Sequence, residues 1–243
     1  MSKIYFVMPA YNEAENIEST IEQWYPIVEE LSSEDMDAKL VIANDGSKDG
    51  TFAIMQKLAY KYPLFVPLDK PNSGHGATVL YLYRYSISNG ADYIFQTDSD
   101  GQTNPEEFWQ MWENRNTYDF QIGYRKSRQD GVSREFVTKI LRIVVWLMFH
   151  KRVTDANTPF RLMKTNKLQP IMNIIPQDYF LCNVAISAIA VKWGYRIGWY
   201  TISFKPRQGG VNSINLKKIF KIGIKAVSDF RIINKNLKHE NSN

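Results

Sequence analysis

The segment Asp98-Ser99-Asp100-Gly101-Gln102 has the residue types and the spacing of a metal-binding loop. Its two carboxylates lie two residues apart directly after an apolar run, and Gly101 allows the chain to bend so that both could reach one cation. Gln102 adds a neutral oxygen, and hard oxygen ligands favour Mg²⁺ or Mn²⁺, which bind best when substrate phosphates complete the coordination. A solvated acidic turn would have the same short pattern, but the position after a predicted strand favours the metal site.

Two other polar loops contain residues that suit a nucleotide. Asp45 ends the second predicted strand, where its carboxylate could accept a hydrogen bond from a ring N–H of a nucleobase. Gly74 and Gly76 precede the third predicted helix and would let backbone amides approach a phosphate. Each loop alone is also typical of a helix cap or a turn. His75 alone is more typical of a loop or packing residue than of a catalyst.

Apolar runs and helical periodicity alternate through the first half of the chain and would position these loops. The predicted strands cover residues 4–8, 40–43, 64–68 and 93–96, with predicted helices after the first three. Asn12 and Glu15 have the spacing of a capping box for the first helix. Repeated β–α units predict an α/β fold, with a Rossmann-like, mostly parallel sheet and helices on both faces. Ligands of such sheets bind where strands end, which is where the polar loops lie.

The second half of the chain is less regular and more basic. Strands are predicted at 160–163 and 195–204, helices at 134–150 and 180–191, and a basic amphipathic stretch from 214 onwards. Residues 1–124 carry 8 basic and 19 acidic side chains, whereas residues 125–243 carry 22 basic and 6 acidic ones. Such a basic half favours an anionic partner.

The composition excludes several classes of protein. With 44% hydrophobic residues in 243, the chain is too apolar for a disordered protein. Its single cysteine, Cys182, cannot form an internal disulfide. We expect no signal peptide, and no apolar run reaches the roughly 20 residues of a membrane-spanning helix. A soluble or membrane-surface protein is therefore expected.

Taken together, the motifs resemble glycosyltransferase family 2, whose members use nucleotide sugars and have the GT-A fold. The segments that carry the resemblance are 7–13, 44–47, 72–76 and the Asp98/Asp100 pair, in the order of the family. Later segments, at 123–125, 154–161 and 207–213, are similar to the branch that contains dolichyl-phosphate mannosyltransferase and bacterial polyprenyl-phosphate glycosyltransferases.

The sequence departs from the family pattern at three places. Pro159 stands where the family usually has glycine before Phe-Arg. The segment Leu181-Cys182-Asn183 lies where many relatives have an acidic residue on the helix after Phe-Arg, which leaves the catalytic base open. The Gln-x-x-Arg-Trp motif of processive polysaccharide synthases is absent, so a processive synthase is not expected.

The resemblance implies roles for individual residues. The residues that would bind the nucleotide sugar are Pro9, Tyr11, Glu13, Asp45, Gly74 and Asp98. The metal ligands would be Asp98, Asp100 and Gln102. The residues that would contact an acceptor phosphate are Arg125, Arg134, Thr138, Arg207 and Ser213. The catalytic residues would be Asp155, Arg125 and Arg207, with Asp155 as the better candidate for a base.

The activity so implied is inverting transfer from a UDP- or GDP-sugar, dependent on Mg²⁺ or Mn²⁺. We expect an undecaprenyl- or dolichyl-type polyprenyl phosphate as the acceptor, because a lipid phosphate is already an anionic nucleophile. We also expect one catalytic domain over 1–213, with a nucleotide-sugar half at 1–124, an acceptor half at 125–213 and a basic amphipathic appendage at 214–243. The basic half favours a peripheral position on the cytoplasmic face of the cell membrane, against lipid or a membrane-protein partner.

Other hypotheses stay open. A transferase that extends a cell-surface glycan at a sugar hydroxyl would need a base such as Asp155. A nucleic-acid-binding protein is disfavoured, because the basic residues lack the interleaved aromatic residues of a known module, and no nucleic-acid partner is expected. A non-catalytic nucleotide-sugar-binding protein is disfavoured by the intact Asp98 and Asp100.

Overall fold

A computed structural model describes residues 1–124 and 155–205. The strands are β1 (Ser2–Ala10), β2 (Met36–Asp45), β3 (Phe65–Lys70), β4 (Tyr93–Gln96), β5 (Phe120–Tyr124), β6 (Arg161–Lys164) and β7 (Ile197–Thr201). The helices are α1 (Ile17–Leu31), α2 (Thr51–Lys61), α3 (His75–Ser88), α4 (Phe108–Glu113), α5 (Thr165–Ile174) and α6 (Cys182–Lys192). A short 3₁₀ helix, Pro105–Glu107, precedes α4.

The seven strands form one sheet in the order β3-β2-β1-β4-β6-β5-β7. Strands β1 to β4 are parallel to one another, and β5 is parallel to β7. Only β6, among the described strands, runs antiparallel to its neighbours, β4 and β5. The predicted mostly parallel α/β sheet is thereby confirmed.

Helices cover both faces of the sheet and form two hydrophobic cores. Helices α3, α5 and α6 pack on one face, and α1, α2 and α4 on the other. Strand β1 contributes side chains to both cores. Tyr5 and Val7 pack in the core with α3, α5 and α6, whereas Phe6 and Met8 pack in the core with α1, α2 and α4. A strand buried on both faces reads as a continuous apolar run, which explains the pattern at residues 4–8.

The elements predicted within the described ranges all occur, β4 with the predicted ends and most others with shifted ends. β1 and β2 are longer than predicted, and β7 is shorter, covering only Ile197–Thr201. The predicted helix at 134–150 and the basic stretch from 214 lie outside the described residues. Within 1–124 and 155–205, no helix is both long and apolar enough to cross a membrane.

Candidate functional site

A cavity of about 390 Å³ opens at the carboxyl ends of β1, β2 and β4. The residues that line it are Pro9, Ala10, Tyr11, Glu13, Asp45, Asn72, Gly74, His75, Asp98, Ser99 and Asp100. All but one of the residues predicted for the nucleotide sugar and the metal are therefore neighbours here; Gln102 lies elsewhere, as does the predicted catalytic residue Asp155.

Strand register explains why residues far apart in sequence meet in this cavity. Ala10 of β1 pairs with Asn44 of β2, so the chain leaves both strands at the same level. Strand β4 pairs with β1 on the other side and ends at Gln96. The three loops that follow these parallel strands therefore surround one crevice, as expected for ligand sites in such sheets.

The loop after β1 is held by hydrogen bonds to the loop after β2. The backbone N–H of Asn12 donates to Ser47 Oγ (2.9 Å), and Asn12 Oδ1 accepts from the Lys48 N–H (2.8 Å). Asn12 has a positive φ of 53° and lies outside α1, which begins at Ile17. The predicted capping box of Asn12 and Glu15 is therefore wrong, because Asn12 joins two loops instead.

Asp45 lies at the floor of the cavity with its carboxylate almost fully buried. Oδ1 accepts from Lys70 Nζ (2.5 Å) and the Ser73 N–H (2.8 Å), and Oδ2 accepts from the Gly74 N–H (2.9 Å). Burial raises the pKa of Asp45, but the hydrogen bonds from Lys70, Ser73 and Thr78 outweigh it and hold the pKa below its ordinary value. Asp45 therefore stays ionised.

The loop after β4 presents two carboxylates to the cavity. Ser99 anchors the loop, since its Oγ donates to the Pro9 carbonyl (2.8 Å) and its carbonyl accepts from Thr20 Oγ1 (3.0 Å). Asp98 and Asp100, on either side of Ser99, both line the cavity. Asp98 Oδ1 is buried without a hydrogen-bond partner among the described residues, and His75 Nε2 lies 3.9 Å from it.

The ligands that the described residues offer fit a divalent cation only in part. Within 1–124 and 155–205 no group of three or more His, Cys, Asp or Glu side chains is arranged to hold a metal. A pair of carboxylates, one with an unpartnered buried oxygen, suits a cation that also takes oxygens from a bound phosphate. The site can therefore hold such an ion together with a phosphorylated ligand.

Gly74, directly before α3, and Gly76, in the first turn of this helix, have different surroundings. Gly74 has a φ of 88°, a value that favours glycine, and lines the cavity. Gly76 faces away from it, since an added Cβ would overlap the carbonyl oxygens of Tyr179 and Phe180. The expectation of a phosphate contact thus stays a prediction for Gly74, whereas Gly76 lets the segment before α6 pack against α3.

Two predicted site residues lie outside the cavity lining. The Gln102 side-chain amide donates to the Lys205 carbonyl (2.9 Å), and its role as a metal ligand stays a prediction. Asp155 is 3% exposed, and its Oδ1 accepts from the Asn157 N–H (3.4 Å). The residues predicted to bind the acceptor phosphate, Arg125, Arg134, Thr138, Arg207 and Ser213, fall outside the described residues.

Sequence reasoning missed a buried polar cluster behind the cavity. The Arg161 guanidinium is fully buried and donates to the carbonyls of Ala156, Thr158 and Asn183 and to Ser187 Oγ. It therefore holds the loop that contains Asp155 against α6. The Phe-Arg pair at the start of β6 was the available signal.

The comparisons with known proteins agree with this fold. Residues 5–183 match the profile of glycosyl transferase family 2. The chain belongs to that family and is a glycosyltransferase, which confirms the resemblance seen in the motifs.

Two curated relatives act on lipid phosphates, according to their names. Dolichyl-phosphate beta-glucosyltransferase ALG5C of Trichomonas vaginalis is 33% identical over 115 residues, which cover 45% of this chain and 33% of that protein. Alignment with this relative thus spans only about a third of its length. Undecaprenyl-phosphate mannosyltransferase of Micrococcus luteus is 23% identical over 220 residues, 88% of each chain.

A solved structure supports the fold over almost the whole chain. Glucosyl-3-phosphoglycerate synthase of Mycobacterium tuberculosis, in complex with Mn²⁺, UDP-glucose and phosphoglyceric acid, superposes with a TM-score of 0.67. The alignment covers 96% of this chain and 80% of that one, at 16% identity. At this identity the likeness establishes the fold alone.

Proposed function

We propose that the protein transfers a sugar from a nucleotide-sugar donor to a polyprenyl phosphate at a membrane surface. One observation carries the donor half of this proposal. The cavity places an exposed aromatic ring, a buried carboxylate and a pair of further carboxylates around about 390 Å³. These groups match, in order, a nucleobase, its polar edge and a metal-bound diphosphate.

Different residues of the cavity bind different parts of the nucleotide-sugar donor. Tyr11, 46% exposed at the rim, stacks on the base, and Asp45 accepts a hydrogen bond from it. Asp98 and Asp100 hold the divalent cation, Mg²⁺ or Mn²⁺, against the diphosphate. When bound, the cation neutralises the charge that develops on the departing nucleoside diphosphate. Mn²⁺ and UDP-glucose in the related solved structure support this assignment.

A phosphate acceptor is supported by the residues at the start of α6. Asn183, in the first turn of this helix, is 3% exposed and accepts from the Tyr83 hydroxyl (3.4 Å). A sugar hydroxyl must lose a proton to attack, so it needs a carboxylate base. A phosphate oxyanion needs none, and an uncharged asparagine at this position suits it.

The charge partners of such an acceptor lie in the basic half of the chain. Residues 125–243 carry 22 basic side chains against 6 acidic ones, which suits an anionic headgroup and the surface of an anionic membrane. The Micrococcus luteus relative, aligned over 88% of each chain, supports a polyprenyl-phosphate acceptor by its name. We accordingly propose a peripheral position on the cytoplasmic membrane face.

The proposal is tested by nucleotide release from UDP- and GDP-sugars with Mn²⁺ or Mg²⁺ in detergent. Addition of polyprenyl phosphate should stimulate release and yield a glycosylated lipid. The unphosphorylated polyprenol of equal chain length is the control and should not stimulate it. Release that ignores the lipid phosphate but responds to a glycan acceptor would contradict the proposed acceptor and favour transfer to a hydroxyl.

A further inference from the structure

A buried hydrogen bond joins the two ends of the loop that follows β4. This loop, residues 97–103, begins at Thr97 directly after the strand and ends at Thr103 before the 3₁₀ helix. The hydroxyl oxygens of Thr97 and Thr103 lie 2.9 Å apart, so one donates a hydrogen bond to the other. Both threonines are buried, at 0% and 2% exposure. The segment between them contains Asp98 and Asp100, the two carboxylates that line the cavity.

The two ends of the 97–103 loop have different anchors. The Thr97 N–H donates to the Val7 carbonyl of β1 (3.2 Å), so the entry of the loop is held on the sheet. Thr103 leads into Asn104, the N-cap of the 3₁₀ helix. The hydrogen bond between the hydroxyl groups therefore fixes the exit of the loop relative to the edge of the sheet.

The positions of both carboxylates depend on the backbone of this loop. Asp98 Oδ1 is buried without a hydrogen-bond partner among residues 1–124 and 155–205, so no described hydrogen bond fixes its direction. The Asp100 carboxylate accepts from the Gln102 N–H of the same loop (3.2 Å). A change in the shape of the loop would therefore move both carboxylates.

Two carboxylates bind one cation well only when they are held at the productive separation. The middle of the loop is held through Ser99, which bonds to the Pro9 carbonyl and to Thr20 Oγ1. The hydroxyl pair supplies the corresponding restraint at the ends of the loop. Removal of a contact that orients a metal ligand without touching the metal typically lowers metal affinity by about 10–100-fold.

We propose that Thr97 and Thr103 are positioning residues of the metal site, which hold Asp98 and Asp100 through the hydrogen bond between their hydroxyl groups. This inference rests on the proposed function, because it assumes that the two carboxylates bind a divalent cation. With the bond in place, the loop has the geometry that the cation needs before the cation binds. Less conformational entropy is then lost on binding.

Replacement of each hydroxyl group by a methyl group tests the proposal. The wild-type protein is titrated with Mn²⁺ at a saturating concentration of UDP, or of GDP if GDP binds more tightly. Thr97→Val, Thr103→Val and the double variant all lack the hydrogen bond, so each should raise the Mn²⁺ dissociation constant at least about tenfold. The losses should not add, because either substitution already removes the shared bond. Thr97→Ser keeps the hydroxyl group and should retain the wild-type affinity.

Urea unfolding of the same variants separates this role from a purely structural one. A single valine leaves the other hydroxyl group buried without its partner and should lower the free energy of unfolding. The double variant leaves neither hydroxyl group unpaired, so its stability should recover towards that of the wild-type protein while its Mn²⁺ affinity stays low. If a single variant does not fold, the double variant decides.

Thr165→Val is the matched control. Thr165 is also buried, at 7% exposure, but its hydroxyl group has no hydrogen-bond partner among the described residues. The same substitution there should leave the Mn²⁺ affinity unchanged. Wild-type Mn²⁺ affinity in the folded double variant, or losses in the single variants that add in the double variant, would overturn the inference.

Failure of the proposed function has a different signature. If the wild-type protein binds neither UDP nor GDP with Mn²⁺ at millimolar concentration, the nucleotide-sugar site itself is overturned, and the inference with it. If the wild-type protein binds one of them and the valine variants bind Mn²⁺ equally well, only the role of the hydroxyl pair is overturned.

Discussion

Two carboxylates of the cavity, Asp45 at the end of β2 and Asp98 after β4, lie on opposite sides of β1 in the sheet and have opposite surroundings. Asp45 accepts hydrogen bonds from a lysine and two backbone N–H groups. Asp98 Oδ1 is buried and has no hydrogen-bond partner among the described residues. A buried oxygen without a partner costs free energy until a ligand supplies one. Hydrogen-bond donors of the protein itself thus surround the carboxylate of Asp45 before a ligand binds. The carboxylate of Asp98 instead depends on positive charge that the ligand brings.

The first test removes the charge of Asp98. Asp98→Asn should lower turnover by about 10²–10³-fold, because the cation at the diphosphate loses a ligand. The free energy of unfolding should change little, since no described hydrogen bond to this carboxylate is lost. Turnover by nucleotide release and stability by urea unfolding measure the two effects. Asp35→Asn, at an exposed position, is the control, and equal turnover of the two variants would contradict the role of Asp98.

The same substitution at Asp45 should, in contrast to Asp98→Asn, act strongly on the free energy of unfolding. Asp45→Asn replaces a charged acceptor facing three donors, so we expect a loss of about 1–3 kcal/mol in the free energy of unfolding near neutral pH. Unchanged stability in urea unfolding would show that Lys70 does not stabilise the fold through Asp45.

The pH dependence of stability sharpens this test. The pKa of folded Asp45 is lowered below its ordinary value of 3.8, so its contacts stabilise the fold above that value. This contribution is lost as the pH falls through the folded pKa, where the carboxylate becomes protonated. The stability difference between the wild-type protein and Asp45→Asn should therefore shrink in acid, which urea unfolding between pH 6 and about 3 would measure.

A smaller effect is expected at the rim, where Tyr11 is 46% exposed. Tyr11→Leu removes a stacking surface, which typically contributes about 1–3 kcal/mol per base, so the UDP dissociation constant should rise about fivefold or more. Tyr11→Phe keeps the ring and should bind UDP nearly as well as the wild-type protein. Equal affinities of the leucine and phenylalanine variants in calorimetry would argue against stacking on Tyr11.

The smallest effect is expected for Asp155 with a polyprenyl phosphate acceptor. Asp155 is buried outside the cavity lining, and a phosphate nucleophile needs no base. Asp155→Asn should therefore lower turnover by less than about tenfold, far less than Asp98→Asn. If turnover is abolished while UDP-sugar binding is retained, Asp155 acts as a base, and the acceptor is more consistent with a sugar hydroxyl.

Local patterns predicted most of the fold and the lining of the cavity. Runs of apolar residues identified the strands because a strand buried on both faces must be apolar throughout. Polar residues directly after β1, β2 and β4 identified the site, since parallel strands bring their carboxyl ends to one edge. This reasoning found Tyr11, Asp45 and Asp98 without any knowledge of strand order.

Contacts between distant segments escaped prediction. The capping box at Asn12 failed because its amide and carbonyl groups bond to the loop after β2, a partner that helix spacing cannot indicate. Gly76 resembled a phosphate-binding glycine, yet the space beside it is taken by the backbone of Tyr179 and Phe180, about a hundred residues away. The antiparallel direction of β6 could not be predicted either, because the alternation of side chains along a strand is the same in both directions.

The amino-acid sequence by itself determined the class of fold, the family and the carboxylates at the strand ends, because periodicity and short motifs are local properties of the chain. Only the tertiary structure decided how those carboxylates differ. Lys70 fills one oxygen of Asp45 from the end of the neighbouring strand, while Asp98 Oδ1 is buried without a hydrogen-bond partner among residues 1–124 and 155–205. The number of acceptor positions left for a ligand depends on these long-range contacts, and sequence motifs do not encode it.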